Sequence, residues 1–276
     1  MSERIAYQGE PGAYSHQACA ETHPEMEPIA CPSFEGAIAE VREGRADLAM
    51  LPVENTTYGR VADIHRLLPG SGLNIVGEAF VRVHINLLGV RGARLDQVRT
   101  AASHLVLLPQ CARFLNDHGI AGEVASDNAR AAREVAEAGD PTRAALASEL
   151  AAEVYGLDIL AARIEDESHN TTRFLIMAPK ADPSRRADDM VTTFVFRVRN
   201  IPAALYKAMG GFATNGINMT KLESYQLGGT FTATQFYADV EGHPDDEGMI
   251  HAFEELEYFT DELKVLGVYP RDPGRI

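Results

Sequence analysis

The 276-residue sequence has few cysteines, no long apolar run and fewer basic than acidic residues. The three cysteines, Cys19, Cys31 and Cys111, are odd in number and lack close metal-type spacing, which indicates free thiols in a reducing compartment. No apolar run approaches the ~18 residues that a membrane-spanning helix requires. The first residues lead into a strand-like segment without the apolar stretch of a signal peptide. These absences predict a cytoplasmic protein.

The shortage of positive charge excludes further classes of partner. Lys and Arg number 25 against 40 Asp and Glu, which gives a formal net charge of −15. Such a chain lacks the basic surface that binding to nucleic acid or to an anionic membrane requires. Residues 239–262 hold ten acids and no Lys or Arg, so most of the net charge belongs to one stretch near the C-terminus. The acidity therefore does not argue against a small anionic substrate.

Up to about residue 180, short apolar runs alternate with amphipathic stretches, which predicts an α/β domain. The polar stretch at residues 91–96 is expected to mark a passage between two lobes. Residues 179–189 hold two prolines and many charges and read as a linker. The predicted strands are Arg4–Tyr7, Glu27–Cys31, Asp47–Val53, Leu73–Ala79, His84–Val90, Arg99–Ser103, Gly122–Ser126, Arg143–Ala147, Ile159–Ile164 and Arg173–Ala178. The predicted helices are Ser15–Thr22, Phe34–Glu43, Pro109–Asp117, Asn128–Ala138 and Ser148–Tyr155.

Beyond the linker the pattern predicts the order β-α-β-β-α-β of a ferredoxin-like unit. The first strand is Val191–Arg199, and Pro202 is placed at the first position of a helix that ends near Gly216. Leu-Gly-Gly at residues 227–229 is a hairpin signal between two strands. A helix over Asp246–Phe259 and a strand over Leu263–Tyr269 complete the unit. This order describes a scaffold and does not by itself define a function.

Three polar segments could carry chemistry. Residues 9–15, ending at Ser15, lie between a strand and a helix and are either a tight turn or an anion site at a helix start. Residues 52–59, with Asn55 and Thr56, follow a strand and are either a polar turn or part of a ligand cleft. Residues 169–174 combine Asn170, Thr172 and Arg173, and the guanidinium of an Arg suits a carboxylate ligand.

Other catalytic patterns are missing from the sequence. The nine histidines form no H-E-x-x-H pair, and no serine lies in a G-x-S-x-G motif. Neither a metal site nor a serine hydrolase is therefore predicted.

Together these segments resemble prephenate dehydratase followed by an ACT regulatory domain. The resemblance rests on Tyr7–Ser15, Leu51–Thr56 and Asn170–Phe174, followed by Ile217–Ser224, and it covers nearly the whole chain. It implies a catalytic domain over residues 1–180 with two lobes like those of a periplasmic binding protein. Lobe one would comprise residues 1–80 and 165–180, and lobe two residues 81–164. Residues 190–276 would form the ACT domain.

The resemblance also implies a reaction: conversion of prephenate to phenylpyruvate, with loss of water and carbon dioxide, in phenylalanine biosynthesis. Formation of an aromatic ring drives this reaction, so no cofactor and no metal are expected. Thr172 is expected to donate a proton or a hydrogen bond to the departing hydroxyl group, and Arg173 to hold a carboxylate. Ser15, Asn55, Thr56 and Asn170 are expected to bind the substrate. Because a threonine hydroxyl is a very weak acid, positioning and hydrogen bonding are favoured over acid catalysis.

This sequence departs from the family pattern in several segments. The family's Ser-His-Pro-Gln is Ser103-His104-Leu105-Val106 here, and its Ser-Thr before the next helix is Asp127-Asn128. Asp127 would either repel a dianion or cap the helix. ACT domains of this family typically bind phenylalanine at a dimer interface. Here the corresponding residues are Ala203, Ala204, Leu205, Asn215, Asn218, Glu223 and Ser224.

Two of those regulatory segments differ from the family's Gly-Ala-Leu and Glu-Ser-Arg-Pro, because Ala203 replaces a glycine and Tyr225 an arginine. Feedback inhibition by phenylalanine is still expected, together with a homodimer or homotetramer. The sequence leaves two alternatives open. One is arogenate dehydratase, and the other is a ligand sensor without catalysis.

Overall fold

The computed structural model describes residues 3–167, 169–182, 184–226 and 233–275. Within these ranges no helix is long and apolar enough to cross a membrane. The strands, in chain order, are β1 Arg4–Gln8, β2 Glu27–Cys31, β3 Leu48–Asn55, β4 Gly59–Arg60, β5 Asn74–Arg82, β6 Asn86–Gly89, β7 Thr100–His104, β8 Ala121–Ala125, β9 Arg143–Ala147, β10 Asp158–Ala161, β11 Thr171–Ala178, β12 Met190–Val198, β13 Met219–Gln226, β14 Ala233–Glu241 and β15 Thr260–Pro270. The α-helices are α1 Tyr14–Thr22, α2 Phe34–Arg42, α3 Ala62–Leu67, α4 Ala112–Asp117, α5 Asn128–Ala138, α6 Glu149–Tyr155, α7 Ala204–Thr214 and α8 Glu247–Phe259.

The chain forms two compact units, and the first comprises Met1–Val61 and Ala79–Phe174. One sheet of this unit has the order β2-β1-β3-β11, with β1 parallel to both β2 and β3. The other sheet has the order β10-β6-β9-β7-β8. The mixed α/β class is therefore as the sequence predicts, and the presence of two sheets is consistent with two lobes. The predicted domain and lobe boundaries stay predictions.

Side-chain caps begin three helices of the first unit. Ser33 accepts a hydrogen bond from the N–H of Gly36, and Asp127 accepts one from the N–H of Arg130. Ser148 caps α6 in the same way, through the N–H of Ala151. Such a cap contributes about 1 kcal/mol relative to alanine. Asp127 thus has the capping role that the sequence left open.

Of the described residues, 83–85 lead from β5 in one sheet of the first unit to β6 in the other, and 162–167 follow β10 on the way back to β11, so residues 91–96 are not the passage that the sequence suggested. Residues 91–96 follow β6 and lead into a short 3-10 helix beside the same sheet. At the crossing, Glu165 is largely buried and accepts hydrogen bonds from His84 Nδ1 and from the N–H of Ile85, both at 2.9 Å. The N–H of Ile164 donates to the carbonyl of Ile85 at 2.9 Å. These bonds fasten the two crossing segments to each other.

The second unit comprises Ala62–Glu78 and Leu175–Ile276. Its strands lie in the order β13-β14-β12-β15, and Gly267 of β15 pairs in parallel with Ile75 of β5. Helices α7 and α8 pack on a core that includes Phe194, Phe212 and Met249. The element order from β12 to β15 is the β-α-β-β-α-β order that the sequence predicts. The predicted Leu-Gly-Gly turn lies outside the described residues.

The start of α7 corrects one prediction of the sequence analysis. Pro202 is not the first helical residue, because α7 begins at Ala204 and Ala203 has a left-handed backbone with φ of 60°. A left-handed conformation costs an L-residue other than glycine roughly 1–2 kcal/mol. A helix start at Pro202 would have required a right-handed Ala203. The observed backbone is one that glycine adopts far more readily than alanine.

The C-terminal segment supplies a cation to two buried carboxylates in the second unit. Arg275 donates to Glu78 Oε1 and Oε2 at 2.9 and 2.8 Å, and to Asp239 Oδ2 at 3.1 Å. The side chains of Glu78 and Asp239 are fully buried. Thr193 also donates to Asp239 Oδ1 at 2.7 Å. Because a buried carboxylate is costly without a partner, these contacts explain how Asp239 is accommodated in the core.

Glu165 makes the stability of the first unit depend on pH. Burial alone would raise the pKa of this carboxyl group, but the hydrogen bonds from His84 and Ile85 outweigh it and hold the pKa below the ordinary 4.5. A carboxyl group with a lowered pKa stabilises the fold above its ordinary pKa, and this contribution is lost as pH falls through the folded value. Glu165→Gln is therefore expected to lower the free energy of unfolding at pH 7 by about 1–3 kcal/mol.

The measurement is urea unfolding of wild type and variant at several pH values from 7 down to 3. The difference between the two proteins is expected to narrow below about pH 4.5. Glu137→Gln serves as the control, since the Glu137 side chain is 69% exposed. A difference that is the same at all pH values would contradict the account.

Candidate active site

A cavity of about 270 Å³ lies in the first unit between its two sheets. Four of the six catalytic and substrate-binding residues expected from the sequence line it: Ser15, Asn55, Asn170 and Thr172. They come from α1, from the end of β3, and from the start of β11 and the residue before it. Separated by up to 157 positions in sequence, they meet because β3 and β11 are neighbours in the sheet. Apolar side chains, including Val83, Leu107 and Phe174, form much of the remaining wall.

The amide of Asn55 has an orientation that its hydrogen bonds define. Its Oδ1 accepts the backbone N–H groups of Thr57 and Tyr58, both at 2.9 Å. Only an oxygen can accept two N–H donors, so the Nδ2 group must point the other way. Nδ2 donates to Asn170 Oδ1 at 2.7 Å and to Thr172 Oγ1 at 2.9 Å. The two backbone N–H groups therefore hold the amide of Asn55 in one orientation, and in that orientation it positions Asn170 and Thr172.

The bond from Asn55 determines what the hydroxyl group of Thr172 can do. Because Oγ1 of Thr172 accepts a hydrogen bond from the Asn55 amide, the hydrogen of the Thr172 hydroxyl is directed away from Asn55. In the described part of the chain no group accepts that hydrogen. The hydroxyl of Thr172 is thus a hydrogen-bond donor to whatever occupies the cavity.

Gln110 extends this network and was not assigned to the site from the sequence. Asn170, which is 1% exposed, donates from Nδ2 to Gln110 Oε1 at 2.6 Å. Gln110 in turn donates from Nε2 to the carbonyl of Val106 at 2.9 Å. Gln110 lies 60 positions before Asn170 in the sequence, and this distance concealed the contact. The network therefore joins the end of β3 and the start of β11 to the segment that follows β7 of the other sheet.

Thr56 and Arg173 do not line the cavity in this structure. Thr56 lies beside it, donating from Oγ1 to the carbonyl of His169 at 2.8 Å and accepting the N–H of Thr171 at 3.0 Å. Arg173 has a side chain that is 3% exposed and donates to Glu54 Oε1 at 2.8 Å. Adjacent residues of a strand point to opposite faces, which separates Arg173 from Thr172. A direct role for Arg173 in holding a carboxylate stays a prediction.

The loop before Ser15 is bound to the helices of the second sheet. Ser148 donates to the carbonyl of Gly12 at 2.6 Å, and Tyr155 donates to the carbonyl of Pro11 at 2.7 Å. A Cβ atom on Gly12 would lie 2.8 Å from Cα of Ala151, so only glycine fits this close approach. The loop therefore forms a tight contact with α6 and places Ser15 at the cavity.

The regulatory residues expected from the sequence lie in the second unit, at three places. Ala203, Ala204 and Leu205 are at the start of α7, and Asn215 and Asn218 flank the turn between α7 and β13. Asn218 donates to Glu241 Oε2 at 3.0 Å. Glu223 and Ser224 lie on β13, where Lys221 Nζ is 3.3 Å from Glu223 Oε1. Tyr225, which follows them, bonds through its hydroxyl to Nδ1 of His65 on α3.

Metal and thiol chemistry have little support in the described residues. Within them, no group of three or more His, Cys, Asp or Glu side chains could hold a metal ion. All three cysteines are free and buried. Burial raises the pKa of the Cys19 and Cys111 thiols to about 12. Neither is a thiolate at neutral pH.

The fold and cavity define an α/β protein with a site for a small ligand that has both polar and apolar parts. The model of the family "Prephenate dehydratase" matches residues 5–182. The chain is 48% identical over 272 residues to a bifunctional N-acyl-homoserine lactone acylase/prephenate dehydratase of Komagataeibacter europaeus, over 98% of this chain and 97% of that protein. It is 36% identical to arogenate dehydratase/prephenate dehydratase 1 of Arabidopsis thaliana, a chloroplastic protein, over 98% of this chain and 72% of that protein.

Solved structures are also similar to this chain over nearly its whole length. A prephenate dehydratase from Arthrobacter aurescens in complex with L-Phe has a TM-score of 0.88 and 27% identity, over 97% of this chain and 90% of that chain. A quorum-quenching acylase has a TM-score of 0.94 and 47% identity, over 99% of this chain and all of that chain. The chain belongs to the prephenate dehydratase family, a family of lyases.

Proposed function

We propose that this protein converts prephenate to phenylpyruvate with loss of water and carbon dioxide. One observation carries the proposal: Asn55 donates to one lone pair of Thr172 Oγ1, which leaves the hydroxyl hydrogen for a ligand. Prephenate carries a ring hydroxyl group that must leave as water, and it needs a donor of this kind. The family membership and the relatives that include prephenate dehydratase in their names support the same reaction.

The reaction breaks two bonds of the substrate together. The bond from the ring to one carboxylate breaks, and its electron pair enters the ring as carbon dioxide leaves. In the same step the bond from the ring to the hydroxyl oxygen breaks, so that the product ring is aromatic; the departing hydroxide takes up one proton from solvent and leaves as water. Thr172 assists by donating a hydrogen bond to the departing oxygen, which acquires negative charge in the transition state. Because threonine is a very weak acid, positioning accounts for more of its effect than transfer of its own proton.

Other groups would hold the remainder of the substrate. Ser15 is the second residue of α1, whose N-cap residue, Ala13, provides no side-chain cap. The start of this nine-residue helix and the hydroxyl of Ser15 together suit a carboxylate. The apolar wall, with Val83, Leu107 and Phe174, suits the six-membered ring. The ion pair between the buried Arg173 and the partly exposed Glu54 joins the start of β11 to the end of β3 in this arrangement.

The substitution Thr172→Val tests the reaction and the role of Thr172 at once. Valine has nearly the shape of threonine but no hydroxyl group, so kcat for prephenate is expected to fall by about 100-fold or more, as for loss of one transition-state donor. Thr172→Ser, which keeps the hydroxyl, is the matched control and is expected to retain most activity. Purified protein is assayed for phenylpyruvate formation without added cofactor.

Three results would count against the proposal, each in a different way. A wild-type protein inactive on prephenate but active on arogenate would identify the alternative, arogenate dehydratase. Full activity of Thr172→Val would remove the assigned role of Thr172. Binding of prephenate without turnover by wild type would favour the sensor.

A second candidate activity is acylase action on N-acyl-homoserine lactones. It is favoured by the 48% identity to a relative that is named for both activities. The apolar part of the cavity suits an acyl chain. In the described residues, however, no serine or cysteine of the cavity is hydrogen-bonded to a histidine, so an activated nucleophile is missing. Release of fatty acid from an N-acyl-homoserine lactone, compared between wild type and Thr172→Val, discriminates between one shared site and two.

We also propose that residues 190–276 form an ACT domain that binds phenylalanine and that the protein is a homodimer or homotetramer. The β-α-β-β-α-β order from β12 to β15 supports an ACT domain. The similar Arthrobacter aurescens structure contains L-Phe. The left-handed backbone at Ala203 matches a position where the family has glycine, although alanine adds a methyl group there.

L-Phenylalanine is expected to raise the melting temperature and to lower the rate of prephenate turnover, because a ligand stabilises the state that binds it. Ala203→Gly, which fits the left-handed backbone, is expected to bind L-phenylalanine more tightly than wild type. Differential scanning fluorimetry and the prephenate assay measure both effects, with L-lysine as the control ligand. If L-phenylalanine alters neither stability nor activity, the regulatory proposal is wrong.

A further inference from the structure

His104 has a defined protonation pattern and a free ring nitrogen at the cavity. Its Nδ1 accepts the backbone N–H of Val106 at 3.3 Å. A nitrogen that accepts an N–H carries no hydrogen, so a neutral ring must carry its hydrogen on Nε2. In the described part of the chain Nε2 has no hydrogen-bond partner, and it is not among the enclosed polar atoms. Since His104 lines the cavity, its Nε2–H is open to a ligand there.

The backbone that carries His104 is held by a second set of bonds. Asn128 Oδ1 accepts the N–H of His104 at 3.2 Å and the hydroxyl of Ser103 at 3.1 Å. Ser103 Oγ also lies 2.8 Å from the carbonyl oxygen of Leu146 on β9. Asn128 is the first residue of α5, one position after the residue that caps the helix. These contacts position the ring at the opposite side of the cavity from β11, on the second sheet.

The surroundings favour a neutral donor over an acid. Protonation of Nδ1 would direct its hydrogen against the N–H of Val106 and break that bond. The other titratable groups that line the cavity are Tyr14, Tyr58 and Asp127. Burial raises the pKa of Tyr14, which keeps its hydroxyl neutral, and Asp127 already accepts the N–H of Arg130. The Nε2–H of a neutral His104 is therefore better matched by a hydrogen-bond acceptor of the ligand than by a cationic group of the ligand.

We infer that His104 binds the substrate by donating its Nε2–H to a carboxylate or keto oxygen of the substrate, as a neutral imidazole. This inference rests on the proposed function, in which the ligand is a dicarboxylate with a keto group. Thr172 on β11 and His104 on the second sheet would then hold one substrate from two sides. His104 holds and orients the substrate, while Thr172 acts at the departing oxygen.

The test compares His104→Leu with His104→Gln. Gln can place an amide N–H near the position of Nε2, whereas Leu has no donor. His104→Leu is expected to raise KM for prephenate about 10–100-fold with a smaller change in kcat, as for loss of one bond to a charged group. His104→Gln is expected to recover most of that loss and to keep the wild-type pH profile between pH 6 and 8. His118→Gln, an exposed histidine on the loop after α4, is the control.

Several outcomes would contradict the inference about His104, and they can be told apart. An unchanged KM in His104→Leu would overturn the inference. So would a loss of kcat in His104→Gln together with a missing limb of the pH profile, because that result identifies a charged proton donor. If wild type does not turn over prephenate, the proposed function fails. The role of His104 is then tested by calorimetric measurement of prephenate binding. Binding that is lost in His104→Leu and regained in His104→Gln supports the inference, and absence of binding by wild type overturns it.

Discussion

The site depends on the amide of Asn55. Two backbone N–H groups hold its oxygen, and this constraint directs its nitrogen to Asn170 and Thr172. With that orientation defined, the hydroxyl hydrogen of Thr172 is left to donate to a ligand, and Asn170 is turned so that its own nitrogen reaches Gln110. A change in the turn after β3 would therefore alter the chemistry of a hydroxyl group 117 positions away. The polar network behaves as a unit because each member fixes the next.

The polar network lines a cavity because the first unit is divided into two sheets with the cavity between them. Asn55 and Thr172 belong to one sheet, whereas His104 lies on the other and Gln110 follows it in chain order. The two sheets are joined at the crossing near Glu165 and by the loop at Gly12, which contacts α6. A cavity between two such bodies can surround a small molecule and exclude water from it. The loop and the crossing are thus as much part of the site as its lining.

Much of the fold could be predicted from the sequence, because apolar periodicity and caps are local signals. Strands β2 and β9 and helix α5 have the predicted bounds. Helix α3 was missed because its six residues are too few to show a period. The start of α7 was misplaced because proline at a first helical position is a preference, and Ala203 has a left-handed backbone instead. The polar residues 91–96 were wrongly taken as a passage between lobes, because polar composition does not define where a chain leaves a sheet.

The site was predicted in part for a similar reason. The resemblance of short motifs predicted that Ser15, Asn55, Asn170 and Thr172 share one site, and all four line one cavity in the structure. Hydrophobic periodicity could not have predicted this, because it describes only local structure. Arg173 was grouped with Thr172 although the two-residue period of a strand places neighbours on opposite faces. Gln110 and His104 needed the three-dimensional arrangement, since only the register of the second sheet and the turn at Val106 reveal their roles.

The most direct test of the central claim is the substitution Asn55→Asp, measured by single-turnover dehydration of prephenate. Aspartate cannot donate, so Thr172 would turn its hydrogen toward residue 55 and away from the ligand. We expect a folded protein whose chemical step is slower by about 100-fold or more, comparable to loss of a transition-state donor. A folded Asn55→Asp protein with the wild-type rate would show that Asn55 does not determine how the Thr172 hydroxyl is oriented.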